Sequence, residues 1–411
     1  MYSRGIESVL QAALSDTPVV LLNGARQTGK STLALKLAQD RKGQYLTLDD
    51  ATTLAGALTD PVGFLHQQGS FMIIDEVQKA PSLFPAIKMM VDRARTSGRF
   101  LLTGSANVLM LPQLSESLAG RMEIVSLFPL SQGEMEKGGR GFIDVVFSAS
   151  LPRIPKSTIA QTHVWKSMLT GGFPEVLTRT TQLRRDAWFA SYITAILQRD
   201  VRDLANIEDL TALPRLLQLL AARAGGLLNF SELSRVSTIP QTTLKRYLSF
   251  LEATFIFQPL PAWSTNLGKR VIKSPKIYLL DSGLTAHVIG LTMDRLVSQA
   301  SFLGSLCETF VLGELRKQAT WSRHQVKLFH YRTTTGREVD VILEDQRGQL
   351  VGMEIKVSHT VSKKDFAGLE AFSQASKNNF LRGILLYSGT EVVPFGEKLW
   401  AWPISTLWQV G

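Results

Sequence analysis

Cysteines and long apolar runs are scarce in this chain of 411 residues. Cys307 is the one cysteine, which excludes an internal disulfide and is typical of a protein kept in a reducing cytoplasm. No run of about 18 apolar residues is present, so the sequence predicts no membrane span. The first six residues lack the apolar core of a signal peptide. We therefore expect a cytoplasmic protein with no membrane partner.

Acidic residues are also few relative to basic ones. The chain has 35 Asp and Glu against 45 Lys and Arg, which gives a net charge of +10 and a pI near 9.7. Such a balance favours a polyanionic partner, most naturally nucleic acid, although charge alone does not establish one. With 45% hydrophobic residues the chain can bury several cores, and its length predicts two to four domains.

The clearest motif is a glycine-rich stretch at residues 24–32, GARQTGKST, between an apolar run at 19–22 and an apolar-periodic segment at 33–37. It has the form G-x-x-x-x-G-K-[ST], a phosphate-binding loop between a buried strand and a helix. The glycines let the backbone curl around a phosphate chain, and the helix start adds unpaired N–H groups. Lys30 is predicted to reach the phosphates and Ser31 to hold Mg²⁺. The predicted ATP contacts are Gly24, Ala25, Arg26, Gln27, Thr28, Gly29, Lys30, Ser31 and Thr32.

A second apolar run, at residues 71–74, ends in Asp75 and Glu76. A strand buried on both faces of a parallel sheet would deliver Asp75 to the carboxyl edge, where we expect it to bind Mg²⁺. Glu76 is then placed to polarise a water in line with the γ-phosphate. A further predicted strand at 45–48 lies between the two motif strands in sequence, which favours the additional-strand class of P-loop ATPases.

Two later features are compatible with roles in the same site. A predicted strand at 99–105 ends in Gly104 and Ser105, so that Ser105 or Asn107 is predicted to hydrogen-bond the attacking water or the γ-phosphate; the alternative is a simple Gly-Ser turn. Arg121 follows the next helix and is predicted to act on a neighbouring subunit's nucleotide as an arginine finger. The alternative for Arg121 is a solvated surface charge.

Four segments taken together resemble one protein family: residues 24–32, 75–81, 102–107 and 118–121. They are similar to the prokaryotic AAA+ ATPases of the archaeal-ATPase-like group, whose C-terminal domain has been described only as of unknown function. The resemblance extends over essentially the whole chain. It implies a P-loop ATPase that uses ATP and Mg²⁺ and works as a homo-oligomeric, hexameric ring, and it assigns the finger role to Arg121.

The segment 226–258 has the pattern of a helix-turn-helix. Its second helix, at 241–251, carries an apolar stripe on one face, and a β-wing is predicted to follow at 255–260. The opposite face is polar and basic and would fit a DNA groove or backbone. The alternative is a protein-docking or packing surface. The predicted DNA contacts are Gln241, Thr242, Lys245 and Arg246.

The last part of the chain places charges in a D…E-x-K pattern. Asp340 lies on a predicted strand, and Glu354 and Lys356 share one face of the next strand. With Glu308 on an earlier helix, the pattern resembles the restriction-endonuclease-like fold and, within it, archaeal Holliday-junction resolvases. It predicts Mg²⁺ bound by Glu308, Asp340 and Glu354, with Lys356 orienting the attacking water. Two alternatives stay open: a domain that binds DNA without cutting it, and a hairpin with exposed charges.

These patterns predict an α/β protein with four parts. They are a three-layer P-loop AAA+ domain (1–140), a helical lid (141–222), a winged-helix module (223–298) and a restriction-endonuclease-like α/β domain (299–411). The predicted function is ATP hydrolysis coupled to the remodelling of branched or single-stranded DNA. The alternative is an ATP-dependent switch that acts on protein partners and carries an inert nuclease-like domain, which the apolar surroundings of the helix-turn-helix would favour.

Overall fold

The computed structural model describes residues 2–66, 69–105, 112–139, 141–201 and 212–410. Within these ranges no helix is both long enough and apolar enough to cross a bilayer. The described chain begins with a sheet domain, continues through a series of helices and ends in a second sheet.

The first sheet is wholly parallel and has the strand order β2-β3-β4-β1-β5. Four of its strands follow from apolar runs in the sequence. The fifth, β5, lies at an edge and was not predicted, because two of its central residues face solvent. The strands are β1 (Val19–Asn23), β2 (Gln44–Thr47), β3 (Met72–Asp75), β4 (Phe100–Gly104) and β5 (Met122–Ser126).

Helices cover both faces of this sheet. Leu21 packs into the core on one face, whereas Val20 and Leu22 pack into the core on the other. The domain therefore has the three layers that the sequence predicted. The strand that separates β1 from β3 in space is β4, and β2 lies at the far edge. The helices are Glu7–Asp16, Lys30–Asp40, Ala51–Thr59, Pro61–His66, Leu83–Arg93 and Pro112–Leu118, with a 3₁₀ turn at Val77–Lys79.

Helices dominate the middle of the chain. Two of them, Pro174–Leu177 and Gln182–Ala195, lie over the phosphate loop and are called the lid helices below. Others form a unit that we call the middle module (residues 212–280), in which three helices are followed by backbone pairs Phe257–Leu279 and Leu260–Lys276. The remaining helices, with those of the module, are Gln132–Glu136, Phe142–Phe147, Gln161–Thr170, Ala212–Ala222, Phe230–Ser237, Gln241–Ala253, Leu267–Ile272, Ser282–Val288 and Met293–Ser298, and a π-helical turn spans Ile196–Val201.

The second sheet is mixed and has the order β10-β11-β9-β8-β7-β6. Strands β6, β7 and β8 run antiparallel, and β9 then pairs parallel with β8. The long helix Ala300–Ala319 precedes it, Ala367–Ser376 lies between β8 and β9, and Thr406–Gln409 ends the chain. The strands are β6 (Val326–Arg332), β7 (Glu338–Asp345), β8 (Leu350–Lys356), β9 (Phe380–Tyr387), β10 (Val393–Pro394) and β11 (Leu399–Pro403), and 3₁₀ turns lie at Lys363–Phe366 and Lys377–Asn379.

One hydrophobic core joins the middle of the chain to this second sheet. It contains Leu260 and Tyr278 of the middle module and Phe310 of the long helix. It also contains Phe142, from helix Phe142–Phe147, and Trp408, from helix Thr406–Gln409. Because these residues share one core, the middle module is packed onto the last domain.

Candidate functional site

The phosphate loop leaves β1 in a conformation that its glycines make possible. Gly24 and Gly29 have φ angles of 154° and 96°, values that residues with a Cβ rarely adopt. A Cβ on Gly24 would also overlap the carbonyl oxygen of Leu127. Lys30 opens the following helix, is buried, and donates hydrogen bonds to the carbonyl oxygens of Gly24 (3.0 Å) and Ala25 (2.9 Å). The loop thus curls around its lysine, as the motif predicts.

Arg4 braces this loop from the N-terminal segment. Its guanidinium donates to the carbonyl oxygens of Thr28 (3.0 Å) and Phe128 (2.6 Å) and to Glu134 Oε1 (3.1 Å). Sequence reasoning missed Arg4, because no local pattern links it to residues more than twenty positions away.

Asp75, at the end of β3, is buried and fully engaged. Its Oδ1 accepts from the Ser31 hydroxyl (3.2 Å) and from Thr103, and its Oδ2 accepts from the Tyr45 hydroxyl (2.6 Å). Burial, and then the hydrogen bond to Asp75, raise the pKa of Tyr45 well above its usual value, so Tyr45 remains a donor. The structure therefore brings Ser31 and Asp75 together at the carboxyl edge of the sheet.

Glu76 adopts a left-handed conformation, with φ of 58°, that turns it out of the strand. Gln78 donates from one amide nitrogen to Glu76 Oε2 and to Ser105 Oγ (3.1 Å). Thr103 accepts from the backbone N–H of Glu76 at 3.3 Å. Ser105 is thus linked to Glu76 through Gln78, a residue for which the sequence predicts no role. Asn107 lies outside the described residues.

Arg121 lies just before β5, on the surface of the first domain. Its guanidinium donates to both carboxylate oxygens of Asp92, at 2.6 and 3.0 Å, and to the carbonyl oxygen of Ala119. The hydrogen bond from Arg121 lowers the pKa of the Asp92 carboxyl. Both side chains are substantially exposed, and exposed ion pairs are weak, so Arg121 can exchange Asp92 for another anion.

A cavity of about 790 Å³ lies between the phosphate loop and the lid helices; we call it the ATP cavity. It brings Lys30, Ser31 and Glu76 opposite lid residues that the sequence did not implicate. Arg179 reaches it, paired with Glu175 at 3.2 Å. Its lining is Arg26, Gln27, Gly29, Lys30, Ser31, Thr32, Glu76, Pro174, Glu175, Arg179, Trp188, Ser191, Tyr192 and Ala195.

A turn at residues 171–175, GGFPE, leads into the first lid helix. Gly171 has a φ of 72°, and a Cβ there would overlap the Asp281 carboxylate. Asp281 accepts from the N–H of Gly172 at 2.8 Å and also caps the helix Ser282–Val288 through Leu284 N at 3.0 Å. These contacts fix the turn that places Pro174 and the following lid helices over the phosphate loop.

A smaller cavity of about 130 Å³ adjoins the helix that follows the phosphate loop. Its walls include the side chains of Tyr2 and Leu33 and the backbone region of Gly29. The lining is Tyr2, Arg4, Glu7, Gly29, Thr32, Leu33, Lys36, Leu130 and Pro174.

In the last domain, the residues of the D…E-x-K pattern lie together in a cavity of about 490 Å³, which we call the carboxylate cavity. Lys356 donates to Glu354 Oε1 at 2.9 Å, and Asp340 Oδ2 accepts from the N–H of Ile355 at 3.0 Å. Burial, and then the Asp340 charge, raise the pKa of Glu354 to about 8, and the same two causes raise that of Glu308 to about 7.

The carboxylate cavity also contains residues that the sequence did not predict there, Lys276 and Glu338. The Lys276 ammonium lies 3.1 Å from Asp340 Oδ1 and 3.4 Å from Glu308 Oε2. Across the described ranges, no group of three or more His, Cys, Asp or Glu residues is arranged to hold a metal ion. Glu308, Asp340 and Glu354 thus share one cavity with Lys276, as the D…E-x-K pattern predicts for the three carboxylates.

The helix-turn-helix residues fall where the pattern predicts. The apolar stripe of helix Gln241–Ala253 is buried in the module core, whereas Gln241, Thr242, Lys245 and Arg246 are exposed. Lys245 lies 5.4 Å from the ring centroid of Phe230, and Arg246 lies 5.8 Å from that of Phe250. Asn229 caps the preceding helix by accepting from Glu232 N at 3.1 Å.

Three family models match successive parts of the chain. An AAA domain matches residues 16–136, and two domains of unknown function, DUF8612 and DUF4143, match residues 161–295 and 303–407. The AAA match covers the three-layer domain and its phosphate loop and confirms an AAA-type P-loop ATPase domain. The two other descriptions assign no activity.

Some solved structures are similar to parts of the chain. The Walker-type ATPase of Pyrococcus abyssi is 17% identical, covering 70% of this chain and 96% of that one, with a TM-score of 0.44. The RuvB Holliday-junction branch-migration motor of Thermotoga maritima is 15% identical, covering 62% of this chain and 89% of that one, with a TM-score of 0.29.

Curated relatives match over most of their length. An uncharacterized protein of Mycobacterium tuberculosis is 32% identical over 410 residues, covering 98% of this chain and 83% of the relative. An uncharacterized protein of Haemophilus influenzae is 24% identical over 309 residues, covering 69% of this chain and 73% of the relative. The chain therefore belongs to the same family as the mycobacterial protein, and its N-terminal region is an ATP-hydrolysing AAA-type P-loop domain.

Proposed function

We propose that this protein hydrolyses ATP in the ATP cavity and couples hydrolysis to the binding and remodelling of DNA, branched or single-stranded. The observation that carries the ATP part is the meeting of Lys30, Ser31, Asp75 and Glu76 beneath the lid helices. The DNA part is supported by the exposed polar and basic face of helix Gln241–Ala253 and by the net charge of +10.

The roles in hydrolysis follow from the contacts. The loop amides and Lys30 bind the phosphates once Lys30 releases the carbonyl oxygens of Gly24 and Ala25. Ser31 Oγ and Asp75 suit a hard cation, since both offer oxygen at one point of the sheet edge. Bound Mg²⁺ would offset charge on the β- and γ-phosphates. Glu76 accepts the proton of the attacking water, and Ser105, which Gln78 links to Glu76, is the proposed sensor of the γ-phosphate.

The lid completes the nucleotide site. Arg179, in the connection between the two lid helices, lines the ATP cavity, and it pairs with Glu175. A guanidinium there suits the terminal phosphates, because Arg donates in a planar fork. The smaller cavity beside Gly29 suits the adenine base, because an aromatic and an aliphatic side chain, Tyr2 and Leu33, line it.

Arg121 supports a homo-oligomer, with a hexameric ring as the proposed assembly. Its guanidinium is on the surface, where its partners among the described residues are Asp92 and a backbone carbonyl of its own domain. In a ring, Arg121 would leave Asp92 for the γ-phosphate of the neighbouring subunit.

The DNA-binding proposal also draws on topology. In the middle module, helices Phe230–Ser237 and Gln241–Ala253 precede an antiparallel backbone pairing, the order of a winged helix. In the last domain, a helix, three antiparallel strands, a helix and a parallel strand follow in the order of a restriction-endonuclease-like core. Both fold types bind nucleic acid in many proteins.

The test is binding of fluorescent duplex, single-stranded and four-way-junction DNA at low salt. The test variant is Lys245→Glu/Arg246→Glu, and its control is Arg41→Glu/Lys42→Glu. The control reverses the charge of two exposed basic residues on the first domain, of which Arg41 also lies over an aromatic ring. We expect the first variant to lose about tenfold in affinity or more and to lower the salt slope by about two, and the control to bind as wild type. Undetectable binding at low salt, or equal losses in both variants, would contradict the proposal.

A second candidate function is an ATP-dependent switch that acts on a protein partner. The observation that favours it is that Lys245 and Arg246 both lie over aromatic rings of their own module, as in a packed or docking surface. It predicts recovery of one stoichiometric protein from a pull-down without nucleic acid, and an ATPase rate that no DNA changes.

A further inference from the structure

The carboxylate cavity of the last domain is lined in part by a lysine from outside that domain. Lys276 belongs to the middle module, yet its side chain is only 2% exposed and points into the cavity. Its ammonium lies 2.6 Å from Glu338 Oε1, 3.1 Å from Asp340 Oδ1 and 3.4 Å from Glu308 Oε2. An ammonium has three hydrogens to donate, and three carboxylates face it.

The backbone around Lys276 holds the side chain in place. Its N–H donates to the carbonyl oxygen of Leu260 at 2.9 Å, and its own carbonyl oxygen accepts from Leu260 N at 3.0 Å. Leu227 pairs with it on the other side. Lys276 is therefore the central member of a small antiparallel arrangement.

Other residues of the middle module close over the same carboxylates. Tyr278 donates its hydroxyl to Glu308 Oε2 at 3.0 Å. Gly225 approaches so closely that a Cβ would lie 2.8 Å from the same oxygen. The backbone N–H of Gly225 donates to the carbonyl oxygen of Ile277. A hydrogen bond within the middle module therefore holds Gly225 in its position against Glu308.

Three of the four carboxylate oxygens of Asp340 and Glu354 already have partners among the described residues. Asp340 has one oxygen on Lys276 and the other on Ile355 N. Glu354 has one oxygen on Lys356, and its Oε2 is buried with no partner among the described residues. Mg²⁺ requires about six oxygen ligands at about 2.0–2.1 Å. A divalent ion beside the Lys276 ammonium would be repelled by its charge.

We propose that Lys276 is the resident cation of the carboxylate cavity. Its ammonium occupies the space between Glu308, Glu338 and Asp340 that a divalent ion would need, so the folded protein binds no divalent metal there and the last domain does not cleave phosphodiesters. The middle module thereby blocks, with its own Lys276, the metal-binding position of a nuclease-like site. This inference is independent of the ATP cavity and of the proposed DNA binding.

The test is a Mn²⁺ titration by electron paramagnetic resonance on the full-length protein without nucleotide. A Mn²⁺ ion is assigned to the carboxylate cavity when the Asp340→Asn change abolishes its binding. We expect wild type and Asp340→Asn to bind equal numbers of Mn²⁺. Lys276→Met, which keeps length and removes charge, is expected to bind one additional Mn²⁺ per chain, and Lys276→Met/Asp340→Asn is expected to lose it.

Lys356→Met is the matched control, because it removes another lysine of the same cavity but leaves Lys276 in place. It should gain no Mn²⁺. In melting experiments, Mn²⁺ should raise the midpoint of Lys276→Met and not that of wild type.

The inference is overturned if wild type binds a Mn²⁺ that Asp340→Asn abolishes, or if a folded Lys276→Met gains none. Should Lys276→Met fail to fold, the comparison of wild type with Asp340→Asn still decides, because it requires no change at Lys276.

Discussion

At the residue scale, hydroxyl and amide groups hydrogen-bond the two carboxylates at the carboxyl edge of the first sheet, Asp75 and Glu76. Asp75 accepts from the side chains of Ser31, Tyr45 and Thr103, and Glu76 accepts from Gln78. A preformed arrangement of this kind lowers the cost of ordering the site when ATP binds. The roles of the individual side chains can therefore be tested one at a time.

Glu76→Gln is expected to bind ATP as wild type does and to hydrolyse it about 100-fold more slowly or worse, because an amide cannot accept the proton of the attacking water. The measurement combines nucleotide binding by calorimetry with steady-state phosphate release. Glu123→Gln, an exposed change on β5, is the control and should keep the wild-type rate. Undiminished turnover in Glu76→Gln would assign the base to another residue.

Glu354→Gln is expected to change how stability depends on pH. Burial raises the folded-state pKa of Glu354 to about 8, whereas the unfolded carboxyl ionises near its ordinary value, about 4.3. The unfolded state therefore binds fewer protons between these values, and stability falls as the pH rises through that window. The variant lacks this loss, so its melting midpoint relative to wild type should be higher at pH 8.5 than at pH 5.5. A difference that is constant with pH, or of opposite sign, would contradict the assignment.

At the element scale, the sequence was a good guide where burial alone decides the structure. Strands β1, β3 and β4 are continuous apolar runs because both faces of the sheet are covered. β5 was missed because it is an edge strand whose exposed residues, Glu123 and Ile124, interrupt the pattern. The edge position of such a strand depends on tertiary pairing with β1, which no local pattern records.

The same limit applies to the candidate sites. The phosphate loop, Asp75 and Glu76 are adjacent in sequence to the strands that place them, so their meeting was predictable. Arg179 and Lys276 reach their sites only through the packing of distant elements, and 64 positions separate Lys276 from Asp340. Their spacing is not periodic, and each alone has the appearance of an ordinary surface charge.

Gly24→Ala tests the shape of the phosphate loop. The added Cβ would overlap the carbonyl oxygen of Leu127, and the φ of 154° is unfavourable to alanine. We expect loss of ATP binding and a lower melting midpoint. Gly69→Ala is the matched control, because a Cβ there meets nothing within 4 Å. Wild-type ATP affinity in Gly24→Ala would show that the loop does not need this conformation.

At the scale of the whole molecule, the long helix Ala300–Ala319 connects the regions. Near its middle, Glu308 faces the carboxylate cavity. Towards its end, Glu314 accepts from Gln132 N at 2.9 Å, and Lys317 donates to the carbonyl oxygen of Leu130 at 3.0 Å. The same helix therefore contacts the last part of the AAA domain and the site in the last domain.

Lys317→Met should show how much this junction contributes to stability. Lys317 and Glu314 form a buried pair at 2.8 Å, and removing one partner leaves the other charge buried and unpaired, at a cost of about 3–5 kcal/mol. The double variant Glu314→Gln/Lys317→Met should lose less free energy of unfolding than the sum of the losses in Glu314→Gln and Lys317→Met. The readout is the denaturation midpoint of the four proteins. Additive losses would mean that the two side chains act independently.

The most direct test of the central claim is the steady-state ATPase rate at low salt, alone and with duplex, single-stranded or four-way-junction DNA. We predict a basal rate that Lys30→Ala abolishes. We also predict that one DNA form stimulates it several-fold, and that Lys245→Glu/Arg246→Glu loses this stimulation while keeping the basal rate. A basal rate that every DNA leaves unchanged would contradict DNA coupling and favour a switch acting on a protein partner, and the absence of Lys30-dependent hydrolysis would contradict the assignment of the ATP cavity itself.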